Sequence, residues 1–586
     1  MLRLLPLGLI LCYASLVMSA EPTYGEVAIS NDLARVVVSG QRGSIARFEL
    51  LDLHPVELPA HLPQDPAAIG GPGKNGKPAL AVLGPATEPA SQAATARAQN
   101  QHNWLVNDRA GSAVYGLTAK DAAPWTVVEQ AANRVVMGYS NGRGLDYALT
   151  YTMDAARPTV QVQLTVTNRG SADATLNPSL VPFKGIHQDY HTGEIGFVEM
   201  AEHRGGEAGS LSAHTVTPGF QFSSAGGADY LALKSRFFAA FFTPGRLVVE
   251  DPTQPTPVVV PEAAPVTGAS GTDLSSGVGA SPVAAVAGPV AGWRAVGACF
   301  QNTAMQAHQG VLQVDWNAVT IKPGLRLVQE WTLTATGLRP VDLARLTVPE
   351  QRIEFTSAFY KFFQSITKIF TWVLDKLAAV VVNYGVAVIL LTLMIKGLML
   401  RLTFKQHESM LKMQKLAPEL KALQNQYKDN KQQMAQKQME LWKKHGVNPL
   451  GGCLPMLVQI PVFIALYQAF QFSADMRGAS FLWVHDLTLP DQVWGVPLSF
   501  LGGWVLSLNP LPLIYIAATA WMSFSMPTPV GGDPQQEQMA KMMRWLPIIF
   551  GVIFYNMPAG LVLYFTANAI ISTIEVKWVR MKLGVK

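Results

Sequence analysis

The sequence predicts a multidomain membrane protein in which an all-β domain precedes an α-helical core of five transmembrane helices. Three observations lead to this prediction. Only 15% of the 586 residues are charged, whereas average soluble domains carry about 25%. Strand-like alternation of apolar and polar residues fills the region before residue 350, and long runs without any charged residue follow residue 376. The change of pattern near residue 350 predicts a domain boundary there.

Residues 1–20 predict a segment that directs the following chain out of the cytoplasm. Arg3 is the only charged residue, and the 15 residues Leu4–Met18 are apolar except for Ser15. This is short for a membrane span of about 20 residues, and Ser19–Ala20 is followed by a sequence compatible with cleavage. A cleaved signal peptide and a retained signal-anchor both fit this pattern. Either one places the next domain outside the cytoplasm.

Residues 21–350 predict an antiparallel β-sandwich. The clearest strand is Thr159–Thr167, in which valine and leucine alternate with polar residues. Alternation with a period of two gives a strand one buried face and one wet face. Two further strand-like runs are Tyr230–Thr243 and Arg326–Thr336, and clusters of Gly, Pro, Asn and Asp separate the runs. No long amphipathic helix interrupts them, so a layered β domain is expected.

Two stretches of this domain predict loose surface loops. Residues 58–103 are rich in Pro, Ala and Gly, and residues 255–292 combine Pro, Ala, Val, Gly and Ser with almost no charge. Such compositions bury too little apolar area to offset the entropy of ordering.

Residues 351–586 predict the membrane core. An amphipathic helix over 354–374 carries aromatic and aliphatic residues at steps of three or four, which suits a helix lying in the headgroup region. Runs without Asp, Glu, Lys or Arg then follow, and each is long enough to cross about 30 Å of hydrocarbon. The predicted spans are about 377–400, 449–472, 508–527, 540–556 and 559–576.

The charges between the spans predict the orientation of the core. Residues 401–444 carry ten Lys and Arg against four Asp and Glu, a net charge of +6. Positively charged loops stay in the cytoplasm, so the β domain is predicted to be periplasmic. The apolar stretch after Trp545 is interrupted by Met557–Gly560, whose Pro and Gly are typical of a turn. A helical hairpin there would return the basic C-terminus to the cytoplasm.

The basic segment itself predicts a cytoplasmic helical hairpin over 401–445. Apolar residues follow helical spacing on both sides of a turn signal at Asp429–Asn430. An ordinary solvated coiled coil fits this pattern. A docking surface for an acidic partner, such as ribosomal RNA or a targeting factor, also fits it. The candidate docking residues are Lys412, Lys415, Lys421, Lys428 and Lys431.

Several motifs resemble the YidC/Oxa/Alb membrane-insertase family. The run Asn448–Pro455 opens a span that continues through Gln459–Tyr467, and further matches are Phe481–Leu487, Met542–Phe550 and Pro558–Tyr564. The resemblance covers essentially all of the C-terminal region in the right order. The N-terminal region resembles the family's large periplasmic domain more weakly, and the family fold of that domain is a β-supersandwich.

The resemblance implies an inner-membrane insertase and chaperone of integral membrane proteins, which acts alone or with the Sec translocon. It implies a hydrophilic groove that opens to the cytoplasm and to lipid and is closed on the outer side. The implied partners are nascent membrane proteins, the ribosome, Sec translocon components and the lipid bilayer. No enzymatic activity, cofactor or small-molecule substrate is expected.

The family's arginine on the first core span corresponds to Lys396 here. Lysine keeps the positive charge but lacks the planar five-donor fork of arginine. Lys396 could instead mark the cytoplasmic end of the span and extend toward the headgroups. The other groove candidates are Thr392, Gln459, Phe463 and Tyr564; for the polar residues, a helix–helix hydrogen bond is the competing interpretation.

Other functional classes leave weaker signals. Cys12, Cys299 and Cys453 lie far apart and predict neither a disulfide framework nor a metal site. The cluster His187–Glu194 resembles a metal site in composition but has no further ligand pattern, so no metal is expected. A solute transporter would predict facing charges or inverted repeats, and a glycan-processing enzyme would predict paired carboxylates on strands. Neither pattern is found.

Overall fold

A computed structural model describes most of residues 26–582. The residues left out of this range are 40–43, 54–68, 75–76, 84–103, 109–112, 117–124, 141, 143, 185, 187–197, 217–219, 254–291, 303–306, 355–357, 428–429, 447–453, 499–503, 526–544 and 547. The predicted signal segment, nearly all of the predicted loop 255–292 and the cluster His187–Glu194 therefore lie outside the described residues.

The described part of the N-terminal region is built from β-strands. They are β1 Glu26–Ser30, β2 Ala34–Ser39, β3 Ser44–Leu50, β4 Ile69–Pro72, β5 Pro78–Leu83, β6 Trp104–Asp108, β7 Ala113–Gly116, β8 Thr126–Gln130, β9 Arg134–Ser140, β10 Leu145–Met153, β11 Thr159–Asn168, β12 Ala174–Lys184, β13 Glu199–Arg204, β14 Ser210–Thr215, β15 Gln221–Ala225, β16 Tyr230–Lys234, β17 Phe238–Glu250, β18 Trp293–Asn302, β19 Ala307–Trp316, β20 Val319–Ile321 and β21 Arg326–Gly337.

These strands form three sheets. A nine-stranded sheet has the order β14-β13-β16-β17-β21-β11-β10-β9-β8, and a seven-stranded sheet has the order β15-β18-β19-β12-β6-β7 with β20 paired to β12. A five-stranded sheet has the order β1-β2-β3-β5-β4. One hydrophobic cluster joins all three sheets, since it includes Leu149 and Val162 of the first, Leu312 of the second, and Val36 and Leu80 of the third. The predicted all-β domain is therefore confirmed.

Alternation of side chains explains the central strands. In β10 every second residue is buried, from Leu145 to Met153. β11 pairs with β10 and follows the same rule, so Val162 and Leu164 point into the core. β21 pairs with both β11 and β17 and is buried along most of its length. Each such fully buried aliphatic side chain contributes about 1.5–3 kcal/mol relative to an exposed one.

Two predictions for this domain are wrong in detail. The run Tyr230–Thr243 is not one strand but the hairpin β16–β17, in which Leu231 pairs with Phe242. The run is apolar on both faces of the sheet, so its periodicity hides the turn after Lys234. The predicted loop 58–103 contains β4 and β5, and all five residues that follow Pro78 in β5 are buried. Long-range pairing with β3 organises a segment whose composition predicts a loop.

Helices dominate the C-terminal region. They are α1 Pro340–Leu343, α2 Val348–Gln351, α3 Ala358–Val381, α4 Tyr384–Gln426, α5 Lys431–Lys444, α6 Leu454–Phe472, α7 Pro510–Ser525 and α8 Ala559–Lys582, with a strand pair β22 Trp494–Leu498 and β23 Trp504–Leu508 before α7. Among the described residues, the stretches Tyr384–Lys405 and Ala559–Trp578 are long and apolar enough to cross a membrane. Pro510–Trp521 is a shorter apolar helix. The total of five spans stays a prediction.

The helix boundaries differ from the predicted ones at two places. The first break falls at Val382 and Asn383 rather than near residue 375, because Val382 has a positive φ of 57° and the Asn383 side chain accepts a hydrogen bond from the Val386 amide. No break occurs at residue 401. α4 continues from the apolar span into the basic segment as one helix of 43 residues. α5 then folds back along α4, since His445 lies 3.5 Å from Glu419.

The last apolar stretch contains a break within its described part. Residues 548–554 are helical, a turn follows, and α8 begins at Ala559. The amides of Ala559 and Gly560 donate to the carbonyl oxygens of Leu489 and Leu487, at 2.7 and 2.8 Å. A Cβ atom on Gly560 would lie 2.5 Å from the Phe470 ring, so only glycine permits this close approach.

A joint connects the β domain to the helical region. Arg236, in the turn between β16 and β17, is buried and donates to the carbonyl oxygens of Gln471 and Thr488, the latter at 2.6 Å. The Arg477 guanidinium lies 5.1 Å from the centre of the Phe238 ring. An arginine of the β domain therefore contacts the helical region, and an arginine of the helical region contacts the β domain.

The joint also contains a partly buried carboxylate, that of Asp475. Burial raises the pKa of Asp475 from 3.8 to about 6; nearby Asp375 adds to this rise and Arg339 opposes it. Burial likewise raises the pKa of Asp491 to about 6, although Asp491 accepts hydrogen bonds from the Leu511 amide and the Trp483 indole.

We expect Arg236→Met to loosen the joint, because two buried carbonyl oxygens lose a charged donor. Hydrogen bonds to charged groups contribute about 1.5–3 kcal/mol each. The unfolding midpoint of the purified chain should fall, and limited proteolysis between α6 and α7 should accelerate. Arg246→Met is the matched control, because Arg246 forms a partly exposed ion pair with Glu330 within the β domain. Equal behaviour of the two variants would contradict this account of the joint.

Asp475 should make stability depend on pH. Its folded pKa of about 6 exceeds the unfolded value near 3.8, so the folded chain binds more protons between these limits. The stabilising contribution is complete below pH 4 and is lost as the pH rises through 6. Asp475→Asn should raise the unfolding midpoint only slightly at pH 4.5 and by a few degrees more at pH 7.5, measured by thermal unfolding in detergent. Asp146→Asn, at a more exposed ion pair, should show no such divergence.

Candidate functional site

A stripe of polar side chains runs along α8. Tyr564, Asn568, Ser572 and Glu575 follow one another at steps of four, four and three residues, which places them on one face of the helix. From Tyr564 to Glu575 the stripe spans 12 residues, or 11 steps, which is about 16 Å at 1.5 Å per step. This is about half of a hydrocarbon core of about 30 Å. The α8 stripe is the framework of the candidate site.

The N-terminal end of the α8 stripe, at Tyr564, contacts α6. The Gln459 side-chain amide donates to the Tyr564 hydroxyl at 3.0 Å. Tyr564 is fully buried, whereas Gln459 is half-buried. The structure thus brings together two of the predicted groove residues, as a hydrogen bond between helices.

The C-terminal end of the α8 stripe, at Ser572 and Glu575, contacts α4. The Lys396 ammonium donates to the Ser572 hydroxyl at 2.6 Å and lies 3.3 Å from a Glu575 carboxylate oxygen. The Lys396 side chain is 17% exposed and the Glu575 side chain 7% exposed. Ser572 in turn donates to the Asn568 carbonyl oxygen at 2.7 Å. The ammonium therefore lies against α8 in a largely buried ion pair.

The remaining two groove candidates have different surroundings. Thr392 is fully buried, and its hydroxyl donates to the Val388 carbonyl oxygen of its own helix at 2.7 Å. The Phe463 ring packs against Phe565, with ring centres 5.6 Å apart. Thr392 lies one turn before Lys396 on α4.

An aromatic cluster lies beside the N-terminal end of the α8 stripe. Phe554 and Phe565 stack with ring centres 4.8 Å apart, and Tyr515 contacts both rings. Tyr564 touches Phe565 from the side of the stripe. With the bonds from α8 to Leu487 and Leu489, this cluster packs the helices together at the end that carries the β domain.

The lysines predicted to dock a partner lie on or beside the hairpin of α4 and α5. Lys412 is exposed and pairs with Glu408 at 2.9 Å, one turn earlier. Lys415 and Lys421 lie on α4, and Lys431 is the first residue of α5. Lys428 lies outside the described residues. Ion pairs between exposed residues of one helix contribute little to stability, so the Lys412–Glu408 pair adds little to the hairpin.

Sequence reasoning missed two members of the site. Neither Glu575 nor Ser572 is among the residues that the sequence predicts for the groove. Their spacing from Tyr564 and Asn568 does predict a shared helical face. The contact between that face and Lys396 of α4 depends on helix packing, which spacing within one helix cannot predict.

Comparison with known proteins identifies relatives of the C-terminal region. Residues 376–584 match the family model described as "60Kd inner membrane protein". A protein of Pelobacter propionicus named "Membrane protein insertase YidC" is 48% identical over 191 residues, which cover 32% of this chain and 34% of that protein. A protein of the same name from Syntrophobacter fumaroxidans is 39% identical over 242 residues, which cover 41% of this chain and 42% of that protein.

The matched segments thus cover well under half of these relatives' lengths. Among solved structures, one described as an active YidC insertase with the first transmembrane domain resolved aligns over 97% of each chain, at 15% identity. Its TM-score is 0.34, a likeness too weak to carry an argument.

The bond between Gln459 and Tyr564 can be measured with a double-mutant cycle of Gln459→Leu and Tyr564→Phe. We expect a coupling of about 0.6 kcal/mol, the mean for hydrogen bonds between helices in membranes, and no more than about 1.7 kcal/mol. The measurement is the unfolding free energy of the four proteins in mixed micelles. Additive effects of the two substitutions would show that the two side chains do not stabilise each other.

Proposed function

We propose that this protein is a membrane protein insertase and chaperone of the family described as "60Kd inner membrane protein", whose model matches residues 376–584. It inserts, folds and helps to assemble integral proteins of the inner membrane, alone or with the Sec translocon. The relatives that match this region are named as insertases. The proposal extends that activity to this chain and involves no covalent chemistry and no cofactor.

The observation that carries the proposal is the α8 stripe with its partners from α4 and α6. Polar groups placed along half of the membrane depth shorten the apolar path that a client's polar segment must cross. Moving a polar group into hydrocarbon without a hydrogen-bond partner costs several kcal/mol. A groove lined by Gln459, Tyr564, Ser572 and Lys396 offers such partners, while the apolar client helix leaves sideways into lipid.

The orientation follows from charge. We propose that the hairpin of α4 and α5 and the basic C-terminus lie in the cytoplasm, and that the β domain lies in the periplasm. The groove then opens toward the cytoplasm and ends below the aromatic cluster of Tyr515, Phe554 and Phe565. α3 is amphipathic and is proposed to lie in the outer headgroup region.

The hairpin is proposed to receive clients from the ribosome or a targeting factor. Lys412, whose exposed side chain pairs with Glu408, is one residue of the basic surface of the hairpin. Lys415, Lys421, Lys428 and Lys431 complete that surface in the proposal. Clients whose transfer needs a larger pore would be shared with Sec translocon components.

A depletion experiment tests the function. Cells depleted of the protein, and vesicles reconstituted without it, should fail to insert a short client that has a small outer tail. The readout is protease protection of the tail. Unchanged insertion in both systems would reject the insertase function.

Lys396→Glu should impair insertion about tenfold or more, whereas Lys396→Arg should retain it. Glutamate would place two carboxylates at contact distance in a poorly screened site, and arginine keeps the cation. The rate of tail protection in reconstituted vesicles is the measurement. Lys437→Glu, an equal charge reversal at an exposed ion pair of α5, is the control. Equal activity of the two Lys396 variants would mean that Lys396 only marks the end of the span.

A further inference from the structure

The positive charge of the candidate groove carries its own counter-ion. Lys396 Nζ lies 3.3 Å from Glu575 Oε2, and both side chains are largely buried. Opposite unit charges at this distance cancel most of each other's field at longer range. A client carboxylate that approaches the groove therefore meets a neutral pair rather than a free cation.

The second carboxylate oxygen of this pair lacks a partner. Glu575 Oε1 is buried and has no hydrogen bond among the described residues, and Glu575 as a whole is only 8% exposed. An ionised carboxylate accepts several hydrogen bonds. A buried acceptor that has no hydrogen bond destabilises the fold by about 1–3 kcal/mol or more. An acceptor in this condition favours any donor that can reach it.

The pair is partly open to its surroundings, because the Lys396 side chain is 17% exposed. Gly397, the next residue of α4, is exposed. The Lys396 ammonium has three hydrogens, two of which are directed at Ser572 and Glu575.

From these observations we propose that Glu575 is a client-binding residue that sets the charge preference of the groove. This inference rests on the insertase function proposed above. A basic residue in the polar segment of a client donates to Glu575 Oε1, without breaking the pair. An acidic residue must first displace Glu575 from Lys396. The pair thus admits neutral and basic segments more readily than acidic ones.

The test uses one short client in three versions, with alanine, lysine or aspartate at a single position of its outer tail. Insertion is measured as tail protection in vesicles that contain the full chain. We expect the wild type to insert the lysine version at least as well as the alanine version. Glu575→Gln should lower the lysine-to-aspartate ratio about tenfold, because Lys396 then keeps an uncompensated charge. Glu129→Gln, an acid-to-amide change at an exposed ion pair with Arg134 in the β domain, should leave the ratio unchanged.

A second variant covers the case in which Glu575→Gln does not fold. Lys396→Met/Glu575→Gln removes both charges, so no lone buried charge remains. It should insert the lysine and aspartate versions at equal rates. A wild-type ratio in either variant would overturn the proposal. Failure of the wild type to insert any of the three clients would instead reject the insertase function, so the two failures are distinguishable.

Discussion

Polar side chains inside an apolar environment must satisfy one another, and this constraint organises the helical region. Membranes offer no water to backbone or side-chain groups. Many polar residues described in the helical core meet this constraint in one of two ways. Some hydroxyls bond to their own helix, and others bind across helices. The first group includes Thr371, Thr392, Thr403, Thr519, Thr566 and Thr573.

The second group includes the Thr367–Gln468 and Tyr384–Asp375 bonds of α3 and the contacts of the candidate site. Gln459 reaches Tyr564 from α6, and Lys396 reaches Ser572 and Glu575 from α4. Bonds within one helix keep a polar group away from a client, whereas bonds between helices can be exchanged for bonds to a client. This distinction gives Lys396 and Gln459 a different status from Thr392, although all three are polar residues of apolar helices.

The position of α8 in turn depends on close packing. Gly560 lies against the Phe470 ring, and its amide bonds to Leu487. These contacts fix the start of α8 and hence the depth at which Tyr564, Ser572 and Glu575 lie. The loop that provides Leu487 also provides Thr488, whose carbonyl oxygen accepts from Arg236 of the β domain. The joint and the stripe are therefore built on the same short segment.

Patterns within single segments of the sequence were sufficient to predict much of the architecture of this protein. The alternation along Thr159–Thr167 and the basic charge of residues 401–444 can each be recognised within one segment, because each is a property of a single stretch of chain. The motifs around Gln459 and Tyr564 likewise indicated the family of the C-terminal region. What such local patterns could not supply was the partner of each segment. β5 joined a sheet despite its loop-like surroundings, the run after Tyr230 folded into a hairpin, and Glu575 proved to be the counter-ion of Lys396 from 179 residues away. Contacts of this kind depend on packing between distant parts of the chain, on which periodicity and composition carry no information.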